Sequence, residues 1–275
     1  MKKQILNRWP QALVLALALS TTVGCETVQT TQAGAVGVNR SQRMAISSQE
    51  INQAATQEYQ KLMAQESKKG NVNRNAAQVS RVKTISQRLI QQVGVFRPDA
   101  RAWPWEVNVL TSPEVNAWCM PGGKIAVYTG LIEKLNVTDD ELAAVLGHEI
   151  SHALREHSRE RASEQAVAGM GIQILSAVAG IGDLGQKGME FAYQGLLGLP
   201  NSRAHETEAD RMGVELAARA GYDPRAAITL WEKMGAVGGG EGPKFLSTHP
   251  PREDRMADLR DYSAKVMPLY QQAKK

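Results

Sequence analysis

The stretch TDDELAAVLGHEISHALREH, residues 138–157, constrains this chain more than any other. Thr138 followed three residues later by Glu141 is a capping box. The threonine oxygen accepts from an orphan amide, and the glutamate reaches back to the N–H of the cap residue. Asp139 and Asp140 suit the positive end of the helix dipole. A helix begun there carries Leu142, Val145, Leu146, Ile150, Ala153 and Leu154 on one apolar face. At about 100° per residue, His148 and His152 stand about 40° apart and well away from the centre of that face. Their rings are adjacent and point into something other than the main core.

Two imidazoles at this spacing can take neighbouring corners of a zinc tetrahedron. Glu149 sits beside them, near enough to reach a water on the metal and turned so that it need not ligate. Zinc lowers the pKa of such a water from about 15.7 to about 7, so a carboxylate can take its proton at neutral pH. The same carboxylate can then pass the proton to a departing amine. The spacing predicts a site for one Zn2+ per chain with its own general base.

A catalytic zinc needs a third protein ligand and one open position. The candidates are His157, His205, Glu206, Glu208, Asp210 and His249. Continued along the same helix, His157 turns towards the apolar side and reads as a helix-end cation. In HETEAD, Glu206 and Asp210 are spaced i, i+4. That pairing favours Glu206 as ligand and Asp210 as the outer acceptor that orients a ligating histidine; His205 stays open as an alternative.

Elsewhere the period of the sequence organises one domain over residues 48–275. A helix is expected around SSQEINQAATQEYQKLMAQES. An amphipathic one is expected where Val79, Val82, Ile85, Leu89 and Val93 recur at spacings of three and four, with Gly94 as its stop. WEVNVL alternates as a strand, and EVNAWCM and KIAVYTG read as two more, joined by a tight PGG reversal. Helices follow over SRAHETEADRMGVELAARAG, DPRAAITLWEKMGAVGGG and PREDRMADLRDYSAKVMPLY. Residues 166–182 are the most membrane-like part of this region; interrupted by Gln173, Ser176 and four glycines, they read as a buried or surface-docking helical hairpin before a true span.

Together HEISH, the ExxxD pattern from Glu206 to Asp210, VNAWCMPGGKIAVYTGLI and STHPPREDRM resemble the gluzincin peptidases of the CAAX prenyl protease family. That family includes the HtpX membrane proteases and bacterial periplasmic lipoprotein proteases of envelope quality control. The resemblance covers roughly residues 75–262. It implies zinc on His148, His152 and Glu206, with Glu149 as base and Asp210 steadying a ligand histidine. Asn116 and His249 match residues near the tetrahedral intermediate, although in some periplasmic relatives the histidine loop instead plugs the metal site. It also implies that substrate binds as an added strand along Asn116–Met120, a mode that favours unfolded chains.

The N-terminus sets the expected address. Residues 1–24 combine Lys2, Lys3 and Arg8 with an apolar run from Ala12 to Leu19 and small residues, the pattern of a secretory signal. TVGC resembles a bacterial lipobox, with Thr22 departing from the usual leucine; lipid on Cys25 is implied, and Glu26 after it favours the outer membrane. Removing the leader takes the formal charge from +4 to +1, and no basic run with interleaved aromatics suggests nucleic acid. Residues 25–47, rich in Thr, Gln, Gly and Ser, read as a flexible tether. Cys119 lies among apolar neighbours as a small buried side chain.

The expected molecule is thus an α+β, mostly helical, zincin-type metallopeptidase whose small sheet has an edge strand preceding the HExxH helix. It would face the bacterial periplasm on a lipid anchor and cut internal bonds of unfolded or misassembled envelope proteins. The rival class is an envelope-assembly or chaperone-like factor whose zinc site is shut by His249.

Overall fold

In a computed structural model, residues 25–178, 200–237, 243–251 and 254–275 are described. The expected leader, and the part of the expected 166–182 hairpin beyond Val178, lie outside the described residues. Among the described residues, no helix is long and apolar enough to cross a membrane.

The chain begins with two short antiparallel strands, β1 (Glu26–Val28) and β2 (Gln42–Met44). Helix α1 (Ser48–Lys68) starts at a capping box between Ser47 and Glu50, and α2 (Ala76–Ile90) at an Asn75 cap. Val82, Ile85 and Leu89 of α2 are buried as their spacing requires, but the helix ends at Ile90. Val93 and Gly94 form a separate 3-10 turn. The sheet follows: β3 (Glu106–Leu110), β4 (Ala117–Met120) and β5 (Lys124–Tyr128). Gly122 and Gly123, at φ of 79° and 83°, make the tight β4–β5 reversal that a residue with a Cβ would strain. Strand order is β3-β5-β4, with β3 parallel and β4 antiparallel to β5. β4 is therefore an edge.

Helices α3 (Thr129–Lys134) and α4 (Asp139–Leu154) come next, then α5 (His157–Val178), α6 (Arg203–Arg219), α7 (Ala226–Ala236), the short α8 (Lys244–Thr248) and α9 (Arg255–Ala273). The metal-motif helix α4 is central, packed against β4, α2, α6 and α7. Every residue from Glu141 to Leu154 is buried. Leu142, Leu146 and Ile150 are fully enclosed, a burial that stabilises the fold by about 1.5–3 kcal/mol each. The second face of α4 is thus no less buried than the apolar one; it meets α6 instead of solvent.

That meeting depends on two glycines. A Cβ on Gly147 would lie 2.8 Å from the Gly213 carbonyl oxygen, and one on Gly213 would lie 2.8 Å from the His148 nitrogen. With hydrogen in both places the two backbones touch. The helix carrying the histidines and the helix carrying the acidic residues are thereby brought face to face.

The tether expected over residues 25–47 is instead folded onto the domain. Val36 and Val38 join the main core, the Val36 N–H donates to Glu215 at 3.0 Å, and Gln42 is fully buried against the Arg155 carbonyl and Glu160. Few large apolar residues are needed here, because the polar side chains of the segment match buried polar partners on α5 and α6.

Candidate metal centre

The capping box that begins α4 forms as expected. Thr138 Oγ1 accepts from the Glu141 N–H at 3.2 Å, and Glu141 Oε2 accepts from the Thr138 N–H at 2.8 Å. From this fixed start, about three turns carry the chain to His148 and about four to His152, and their Nε2 atoms face each other at 3.0 Å. Helix α6 delivers Glu206 opposite them, 3.5 Å from His148 Nε2 and 3.3 Å from His152 Nε2. His249, at the end of α8, adds its Nδ1 at 3.1 Å from His148 Nε2 and 2.9 Å from Glu206 Oε1. All four side chains are buried.

These separations fit a metal. Four N/O ligands at about 2.0–2.1 Å from a tetrahedral zinc stand roughly 3.3 Å apart. The chemistry also fits, because ring nitrogens that face one another cannot all carry hydrogens, and the lone pairs left over need a cation. Glu206 Oε2 is buried and makes no hydrogen bond among the described residues, its contacts being the ion-pair approaches of Arg255 Nη2 at 3.1 Å and His148 Nε2 at 3.5 Å. Burial drives His152 strongly towards its neutral form, against the pull of Glu206, and a neutral imidazole is the ligating form. For Glu206, burial favours the protonated acid, but the neighbouring His249 and His148 outweigh it and hold the carboxyl well below its usual range.

Around this cluster the remaining expected residues fall into place. Asp210 Oδ1 lies 3.0 Å from His148 Nδ1 and accepts from Arg255 Nη2 at 2.6 Å. Arg255 also reaches Glu206 Oε2 at 3.1 Å and stacks over Trp231. Glu149 is buried against β4, where it accepts from the Cys119 N–H, and its Oε1 is 3.3 Å from His249 Nε2. Burial raises its pKa, tempered by His249 and His148. Asn116, at the start of β4, lines the same cleft of about 240 Å3 as Trp118, Tyr128, Glu149, Lys244 and His249. Cys119 is buried and free, with its thiol pKa pushed up by burial and then by Glu149; Cys25 is exposed.

His249 is the residue whose placement the sequence leaves most open. It lies in the cluster itself, where a ligand position would have to be vacant for a water or a substrate. Phe245 stacks beneath its ring at 4.2 Å, and Asn201 holds the loop by donating its backbone N–H to the Thr248 carbonyl at 2.9 Å. Nothing in the sequence around Asn201 signals this role.

His157 requires a correction. Glu156 adopts φ of 53°, which ends α4 and starts α5, so the uniform 100° step fails after Leu154. The ring is fully buried, and burial, with His205 and His152 beside it, pushes its pKa well down. It is not a helix-end cation. It contacts His152, while His205 and Glu208 lie in a neighbouring polar cluster and not among the four converging groups.

The fold and this site are those of a gluzincin-type metallopeptidase. Residues 76–263 match peptidase family M48, and the chain belongs to that family. It is 41% identical to the mitochondrial metalloendopeptidase OMA1 of Arabidopsis thaliana over 151 residues, covering 55% of this chain and 30% of that protein. It is 26% identical to the metalloprotease LoiP of Escherichia coli over 254 residues, or 91% and 96% of the two chains. With the E. coli metalloprotease YcaL the identity is 30% over 161 residues, or 58% and 62%. The matched region spans 30% and 46% of the first two OMA1 proteins it resembles. Zinc is the metal of this family, and the cluster of His148, His152, Glu206 and His249 is able to hold it.

Proposed function

We propose that the chain is a zinc-dependent metalloendopeptidase that hydrolyses internal peptide bonds of unfolded or misassembled envelope proteins in the bacterial periplasm, held to the outer membrane by lipid on Cys25. The observation that carries the activity is the convergence of His148, His152 and Glu206 beside the buried carboxylate of Glu149 on the wall of a cleft. The leader pattern and the exposed Cys25 support the address.

His148, His152 and Glu206 hold the metal, and Asp210 orients His148. When bound, zinc supplies Lewis acidity that polarises the scissile carbonyl and makes water at the site easier to deprotonate. Glu149 takes the proton of the attacking water and delivers it to the leaving amine, a task helped by the upward shift that burial gives its pKa. The Cys119 N–H fixes the carboxylate against β4. Substrate pairs with the edge of β4 through main-chain hydrogen bonds, so sequence selectivity is loose and extended, unfolded chains are preferred. Asn116, whose Oδ1 accepts from the Ala117 N–H, offers its amide group to the developing oxyanion, and His249 does so once withdrawn.

The position of His249 favours a second reading, an envelope-assembly or chaperone-like factor whose site stays latent. Digestion of an unfolded casein-type substrate by wild type and His249→Ala, with and without zinc, separates the two. Zinc-dependent cleavage by wild type supports the peptidase. Cleavage gained only in His249→Ala supports the latent site, and zinc-independent cleavage by both would overturn either reading.

A further inference from the structure

The two histidines at the centre of α4 are steadied by different devices. His148 Nδ1 meets a carboxylate, Asp210. His152 Nδ1 meets a third imidazole, His157 Nδ1, at 2.8 Å, and His157 Nε2 in turn meets Glu208 Oε2 at 3.0 Å. Hydrogen counting sets the direction of this chain. Glu208 also accepts from Arg155 Nε at 3.0 Å and from Arg40 Nε at 2.7 Å, so it is the acceptor in these contacts and His157 Nε2 carries the hydrogen. The surrounding charges balance without a cationic ring, since Glu208 and Glu160 face the guanidiniums of Arg155 and Arg40. A neutral His157 then has a bare Nδ1, and the one hydrogen shared with His152 must come from His152 Nδ1. That leaves the lone pair of His152 on Nε2, the atom that faces His148 and Glu206.

We propose that His157 and Glu208 are positioning residues that lock the Nδ1–H tautomer and ring orientation of His152, so that its Nε2 is presented to zinc. Arg155 and Arg40 brace the far end of this relay, and Arg40 comes from the N-terminal segment between β1 and β2. The strands at the start of the chain are thus part of the support of the metal centre.

His157, Glu160 and His205 also have the composition of a second cation site. The hydrogen bonds argue against it. Glu160 is already clasped by Arg40 at 2.6 and 2.8 Å and by Gln42 at 2.6 Å, and both nitrogens of His157 are engaged. A divalent ion here would sit among two guanidiniums.

The relay rests on His148 and His152 being the zinc ligands, and the test keeps the two ideas apart. Zinc affinity of the full chain is measured by chelator competition for wild type, His148→Ala, His157→Phe and His157→Gln, alongside 15N NMR of the histidine rings in the zinc-loaded wild type. Phenylalanine fills the space and accepts nothing. Glutamine can accept from His152 and donate to Glu208. The expected results are a slowly exchanging His152 Nδ1–H in wild type, zinc affinity lowered roughly 10- to 100-fold in His157→Phe, and affinity within a few-fold of wild type in His157→Gln. Unchanged affinity in His157→Phe, or a His152 Nδ1–H that exchanges as fast as one without a partner, overturns the relay alone, whereas a His152 hydrogen found on Nε2 removes the ligand assignment of that atom as well. A second zinc equivalent in wild type that disappears in His205→Ala also overturns it, in favour of the cation site. Tight zinc binding that survives His148→Ala removes the ligand assignment beneath it. The NMR measurement needs no variant, so poor folding of a substituted chain leaves the test intact.

Discussion

Replacing Gly213 with alanine puts the geometry of the centre under direct strain. The new Cβ would stand 2.8 Å from the His148 nitrogen and 3.1 Å from both the Gly147 carbonyl carbon and the His148 Cα. All three atoms are backbone of α4, so no side chain can swing aside. Comfortable carbon contacts begin near 3.5 Å, and the two helices must therefore part by roughly half an ångström. Overpacking of this kind costs about 1–3 kcal/mol. For a domain of this size that lowers Tm by about 2–12 °C. The same displacement moves His148 away from Glu206 and Asp210. Catalytic groups tolerate only about 0.5 Å of error, so casein cleavage should fall on the order of 10- to 100-fold and zinc affinity should fall with it. Gly235→Ala is the control. Gly235 is also helical, but its Cβ would meet nothing within 4 Å. There alanine should be neutral or stabilising, by up to about 1 kcal/mol. Calorimetric melting and digestion rates for both variants check this. A Gly213→Ala protein with wild-type Tm and rate would falsify the view that backbone contact between α4 and α6 sets the site.

Three further outcomes follow from the same contacts. Arg255→Met leaves Asp210 and Glu206 buried without their shared guanidinium, a loss of about 3–5 kcal/mol. Its Tm deficit should be larger in the metal-free than in the zinc-loaded protein, and equal deficits would contradict the pairing. Glu160 has its pKa held far below the usual carboxylate range; burial opposes this, but Arg40, His205 and Gln42 outweigh it. A depressed folded pKa means that the unfolded chain takes up the proton first, so the stabilisation is complete above the ordinary glutamate range and declines as pH falls below it. The Tm difference between wild type and Arg40→Gln should thus narrow from pH 6 to pH 3; a constant difference would contradict it. Cys25→Ala should release the protein from membranes into the soluble fraction, whereas unchanged pelleting would require a different attachment.

The parts of this site that were legible in the sequence are those carried by a single regular helix. His148, Glu149 and His152 are fixed by one period, and Thr138 with Glu141 marks where that period begins. Glu206 and Asp210 share a helix at i, i+4, so their common face could also be read. Legibility ends where the chain changes direction. A single residue, Glu156, in a left-handed conformation sent His157 to a place that helical extrapolation cannot reach. The position of His249 depends on how α8 docks through Phe245 and Asn201, contacts between segments far apart in sequence. The segment before α1 looked like a tether because it lacks a run of large apolar residues. Its order comes instead from Val36 and Val38 in the core and from Arg40 and Gln42 against buried charges, a complementarity visible only once α5 and α6 are in place.

The most direct measurement is zinc per chain together with digestion of unfolded casein, for wild type and Glu149→Gln in parallel. Glu149 is beside the metal cluster and outside it, so glutamine there should leave one zinc bound and abolish nearly all cleavage. One zinc in both proteins with equal cleavage, in preparations free of other proteases, would show that Glu149 is not the base and that the mechanism built on it is wrong.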